Sequence, residues 1–145
     1  MRITFAPPLA PAAPAVHHAG AAARNACVAA EARARLRGRL SGVTETKRIL
    51  LKAAAGAGKS FVLKNLVIDA IEHPRCLRVA VIAFQNRQLW PIAASLGAAI
   101  GQQRVCLFAS RAAYDSVPGD VFAHAEVNTT TSAIPGDCVV VVATA

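Results

Sequence analysis

The pattern of apolar and polar positions changes near residue 45. Ahead of it, residues 1–20 set Pro7, Pro8, Pro11 and Pro14 among alanines. Proline fixes φ and removes a backbone donor, so this stretch is expected to be an extended, disordered leader. Residues 21–44 are rich in Ala and Arg, and a basic helix is predicted over 21–40. Its large apolar residues are few, so its core-facing stripe is weak. From Arg48 onward, apolar runs alternate with helix-patterned stretches. Residues 49–53 read as a first strand, 59–72 as a helix, 79–84 as a second strand and 88–100 as a second helix. Residues 105–108 and 139–143 read as the third and fourth strands.

In the first of these helices Leu63, Leu66, Val67, Ala70 and Ile71 recur at the spacing of one apolar face, and Pro74 ends it. In the second, Leu89, Ile92, Ala93, Leu96 and Ile100 fall on one side before a capping Gly101. Pro91 requires this helix to begin late or to kink. The alternation of strand and helix implies an α/β fold, with parallel strands joined by right-handed crossovers and helices flanking the sheet. Between the last two strands, residues 114–119 and 129–132 are polar and turn-rich. Thr129 to Ser132 fits loop composition, with a modification or contact site as the alternative.

Length bounds the chain to one domain, placed at 45–145. Hydrophobic residues make up 54% against 17% charged, which suits parallel strands covered on both faces, although much of the 54% is alanine. No apolar run reaches the length of a membrane span. The net charge of +8 is concentrated early: residues 1–48 hold eight Lys/Arg and two Glu, the remainder eight Lys/Arg and six Asp/Glu. A polyanion-binding patch and a solvated arm both fit that bias. Cys27, Cys76, Cys106 and Cys138 show no zinc-site spacing, and free buried thiols suit a reducing cytoplasm. The Arg-rich, acid-poor start loosely mimics a transit peptide.

The chemistry lies in Ala53-Ala54-Ala55-Gly56-Ala57-Gly58-Lys59-Ser60, between the first predicted strand and the first helix. It matches the phosphate-binding template G-x-x-x-x-G-K-[ST] at Gly58, Lys59 and Ser60, with Ala53 in place of the first glycine. Small residues let backbone N–H groups close on phosphate oxygens, and the helix start adds its positive dipole end. The candidate cofactor site is therefore Ala53, Gly56, Ala57, Gly58, Lys59, Ser60 and Phe61, for ATP with Mg²⁺. Lys59 would neutralise the β/γ-phosphates as the catalytic cation, and the Ser60 hydroxyl would ligate the metal. The alternative is a glycine-rich turn whose lysine is merely solvated. Hydrolysis would further need an acid at the end of a strand. Asp69 follows Leu66-Val67-Ile68, yet lies on the helix after the loop. Asp115, Asp120, Glu126 and Asp137 sit in or beside loops, and Val139–Val142 runs into Ala143-Thr144-Ala145. The chain is thus expected to be the amino-terminal piece of a larger ATPase lobe, or a complete small protein that binds nucleotide without hydrolysing it.

Residues 45–145 resemble the first lobe of superfamily 1 helicases and related helicase-like AAA-type ATPases. Ala53 to Ser60 is similar to their Walker A loop. Val79-Ala80-Val81-Ile82-Ala83-Phe84-Gln85-Asn86-Arg87 looks like their motif Ia, with Gln85 in place of Thr, and Val139 to Thr144 looks like a later strand ending in a small-Thr-small turn. The resemblance implies a three-layer P-loop NTPase (RecA-like) sheet, here incomplete, that binds ATP as part of a nucleic-acid-dependent ATPase. It assigns Gln85, Asn86 and Arg87 to single-stranded DNA or RNA; Asn86 as a helix cap is the alternative. Trp90 would stack a base or simply pack. Two other functions stay open: a P-loop small-molecule or nucleotide kinase, and a non-catalytic basic module that binds nucleic acid.

Overall fold

Short runs rich in β-branched residues build a single sheet. Its strands are β1 (Val79–Ala83), β2 (Val105–Phe108), β3 (Glu126–Asn128) and β4 (Val140–Thr144), all parallel and ordered β1-β4-β2-β3. The structure is a computed structural model that describes residues 20–45, 47–52 and 58–145. The predicted leader up to residue 19, and Ala53, Gly56 and Ala57 of the candidate loop, lie outside the described residues.

Register decides which face is core. Val81 pairs with Val142 and Leu107 pairs with Val142 from the other side, while Val140 lies between Val79 and Val105. Because side chains alternate along a strand, these six share one face. That face carries the core, together with Leu89, Ala93 and Leu96 of α3 (Asn86–Ile100), each with no exposed surface. Val67 of α2 (Lys59–Ile71) and Val121 of α5 (Gly119–His124) complete it. Each fully buried leucine contributes about 1.5–3 kcal/mol.

The opposite face is less covered. Ala80, Ile82, Val141 and Ala143 take no part in the core cluster, and Ile82 is 62% exposed. The parallel sheet with flanking helices is the α/β arrangement expected from the sequence, with uneven cover on this face, where Cys106 is fully buried. Leu36, Leu63 and Leu66 reach only around the free side of β1, where a groove of about 370 Å³ remains. The residues after β2, expected to be turns, contain a four-residue α4 (Arg111–Tyr114), α5 and the edge strand β3.

One predicted strand does not form among the described residues. Residues 49–52 are irregular, with Ile49 40% and Leu50 82% exposed. Three apolar residues between Arg48 and Lys52 find no partner strand in the described sheet, so their β-propensity goes unrewarded. The helix predicted from residue 88 begins earlier, at Asn86, and carries Pro91 in its interior.

The basic segment is not a free arm. It forms α1 (Ala21–Leu40), which packs along α2. Arg33 grips the buried Asp69 of α2 with two bonds of 2.6 Å, from Nε and from Nη2, and Arg37 adds longer contacts of 3.4 and 3.5 Å. The paired, planar guanidinium geometry is what an arginine offers a carboxylate. Hydrogen bonding from Arg33 holds the Asp69 carboxyl below the usual carboxylate range, against the opposing effect of its burial. A depressed folded-state pKa stabilises the fold above the unfolded value, and that stabilisation is lost as pH falls through the folded value. Comparing denaturant midpoints of the native chain and Asp69→Asn across pH should show a constant gap near neutrality. The gap should close in acid, where Asp69 becomes neutral like its replacement.

Helix α3 meets α5 most closely at Gly97, where an added methyl group would overlap the His124 carbonyl oxygen. Because the obstacle is backbone, it cannot rotate away. Gly97→Ala should therefore exceed the roughly 1–3 kcal/mol typical of overpacking in chemical denaturation. Gly136→Ala, with nothing within 4 Å, should stay within about 0.5 kcal/mol.

Candidate functional site

Two places carry the residues singled out from sequence. The first is the start of α2. Gly58 precedes it with φ 79° and ψ 23°, in the left-handed region that glycine enters without penalty. No side chain caps the helix, and the Val62 N–H donates to the Gly58 carbonyl at 3.0 Å to close the first turn. First-turn N–H groups have no acceptor within their own helix, and here they include those of Ser60 and Phe61. Lys59, Ser60 and Phe61 are exposed, and a Cβ built on Gly58 would meet nothing within 4 Å among the described residues. The start of α2 thus carries backbone donors and the positive end of a helix, with the exposed side chains of Lys59 and Ser60 in its first turn. That donor set suits a cluster of phosphate oxygens and a hydrated divalent cation.

The second place is the crevice at the carboxyl ends of the strands, where open parallel sheets offer their loops to ligands. Gln85, Asn86 and Arg87 follow β1 directly and line an open cleft of about 830 Å³ with Phe84, Trp90 and Thr144. Gln85, rather than Asn86, occupies the capping position, and neither side chain makes a capping bond. The alternative role considered for Asn86 therefore does not apply. Phe84 is 91% exposed, while Trp90 lines the cleft and also packs against the core. Phe84 was read as the end of one strand and Thr144 as the residue after another, but only the strand order places them beside one another.

The two places flank one helix. Ser60, Phe61 and Lys64 border a cleft of about 290 Å³ with Pro91, Ile92 and Ser95. Trp90 faces the large crevice and its neighbour Pro91 the small one, so α3 stands between them. The first turn of α2 thus shares a cleft with residues of the second and third turns of α3.

The acids are placed elsewhere. Asp69 is committed to Arg33 and Arg37, and the strands end in Ala83, Phe108, Asn128 and Thr144. Among the described residues no group of three or more His, Cys, Asp or Glu could hold a metal ion. Burial pushes the Cys106 thiol up, opposed by the Asn128 amide that donates to its sulfur at 3.5 Å. It is a packed hydrophobe, as its strand position led one to expect. No described helix is long and apolar enough to cross a membrane.

Compared with protein-family models, curated proteins and solved structures, the chain matches none. The geometry at Gly58 can be checked without a ligand. Gly58→Ala places a Cβ in a left-handed conformation, so thermal or denaturant unfolding should report a loss of about 1–2 kcal/mol although no described residue stands in its way.

Proposed function

We propose that the chain binds ATP with Mg²⁺ through residues 53–60 and the first turn of α2, as part of a helicase-like, nucleic-acid-dependent ATPase of the P-loop class. One observation carries this reading: a left-handed Gly58 opens an uncapped helix whose first residues are Lys59 and Ser60. The chain around it is α/β with a parallel sheet, although the strand expected to lead into the loop is not formed among the described residues. Lys59 neutralises the β/γ-phosphates, the Ser60 hydroxyl holds Mg²⁺, and the backbone donors surround the oxygens. In the large crevice, Gln85, Asn86 and Arg87 contact the backbone of single-stranded DNA or RNA, with Trp90 beside them for a base. Hydrolysis is not assigned to these residues, because none of the described strands ends in a carboxylate.

The reading is tested by fluorescence polarisation of a labelled ATP analogue in Mg²⁺. Removing a charge-assisted hydrogen bond worth about 1.5–3 kcal/mol should weaken binding roughly ten- to hundredfold in Lys59→Ala. Ser60→Ala should leave metal-free binding unchanged and remove the gain from Mg²⁺. Equal affinity of the native chain and Lys59→Ala would sink the proposal.

A further inference from the structure

The lock between α1 and α2 determines where the remaining arginines point. With Arg33 and Arg37 held on Asp69, and Ala32 buried at 4% exposure, the inner side of α1 is fixed. At 3.6 residues per turn, Arg24, Arg35 and Arg39 fall within about 60° of one another, on a flank of α1 beside Ala32 and away from Arg33. All three are exposed. They stretch over about 22 Å along the helix axis at 1.5 Å per residue. Glu31 lies on the same side and takes two bonds from Arg35, at 2.6 and 3.0 Å, offsetting one charge. At the far end Arg75 adds a cation: its guanidinium lies 2.9 Å from where a Cβ on Gly42 would stand.

We infer that the exposed flank of α1 bearing Arg24, Arg35 and Arg39 contacts the phosphate backbone of single-stranded nucleic acid. The surface is convex, and its guanidinium forks match phosphate oxygens two at a time. It reads charge rather than base sequence. An anionic membrane fits less well, since Leu36 borders the groove beside β1 and Val28 is the single large apolar residue exposed on α1, too little to enter lipid. The surface is separate from the nucleotide reading and from the crevice at Gln85 to Arg87, so each can fail alone.

The test uses the full chain and a fluorescent thymidine oligonucleotide across a salt series. A triple variant, Arg24→Gln with Arg35→Gln and Arg39→Gln, keeps good helix formers and spares Arg33 and Arg37. Its affinity should fall at least about tenfold at low salt, and its slope of log K against log salt should flatten by roughly 2, at about 0.7 for each phosphate no longer neutralised. Glu31→Gln should tighten binding, because it frees Arg35; a purely structural role for these residues would not produce that gain. Circular dichroism and the melting temperature establish that the variants fold. Unchanged affinity and slope in the folded triple variant overturn the inference. So does capture by phosphatidylserine vesicles with none by the oligonucleotide. Failure of the ATP reading would appear separately, as Lys59→Ala binding the nucleotide analogue like the native chain.

Discussion

The insertion of β4 between β1 and β2 is the constraint on which the arrangement rests. Val140 and Val142 have no exposed surface, and each pairs with both neighbours. Backbone bonds fasten the strand at either end: the Val79 N–H donates to the Val139 carbonyl at 2.8 Å, and the Val139 N–H to the Arg104 carbonyl at 3.0 Å. The Ala145 N–H donates to the Ala83 carbonyl at 3.1 Å. With strands about 4.8 Å apart, the inserted strand holds the carboxyl ends of β1 and β2 roughly 10 Å from each other. That separation makes the large crevice, with Thr144 between the segment that follows β1 and the one that follows β2. Because β1 and β4 are distant in sequence, this pairing must overcome long loop closure before it stabilises anything.

Helix α3 then distributes the chemistry. Leu89, Ala93 and Leu96 anchor it on the sheet with no exposed surface, leaving its flanks to line clefts on two sides. Trp90 borders the crevice beside Gln85 to Arg87, whereas Pro91, Ile92 and Ser95 border the one beside Ser60 and Phe61. The proposed nucleotide and nucleic-acid sites are therefore separated by about one helix diameter, roughly 10 Å. Any repositioning of the first turn of α2 acts on a helix whose other flank carries the nucleic-acid residues. The close approach of Gly97 to the His124 carbonyl restrains the same helix from its far end.

Much of this order was legible in the residues, and the exceptions have physical causes. Val79 to Ala83 and Val105 to Phe108 declare themselves as strands because β-branched and apolar side chains run without interruption. The apolar face of α2 is equally plain from its 3.6-residue period. Ile49 to Leu51 carries the same local signal, yet burial and pairing decide strand formation, and neither is supplied there. Edge strand β3 was illegible for the opposite reason: Glu126-Val127-Asn128 is short and mostly polar, and it is a strand because β2 offers its backbone groups. At the candidate sites, the spacing of Gly58, Lys59 and Ser60 sufficed to place them at a helix start. That Gln85 rather than Asn86 takes the capping position depends on where α3 actually begins.

Charge shows most clearly why composition alone was ambiguous. Five arginines on one alanine-rich helix fit a solvated arm as well as a polyanion site, and no periodicity separates the two. Asp69 does separate them. In the sequence Leu66-Val67-Ile68-Asp69 it has the form of a strand-ending acid, but helical geometry carries it to the side of α2 that α1 covers, where it is buried at 8% exposure. Alanines on the inner side of α1 bury little apolar area, so a directional ion pair fixes the rotation of the helix about its axis. Arg33 and Arg37 turn to Asp69 for that purpose, while Arg24, Arg35 and Arg39 stay exposed on another flank of the helix. The carboxylate that could have been mistaken for a metal ligand instead orients the basic surface.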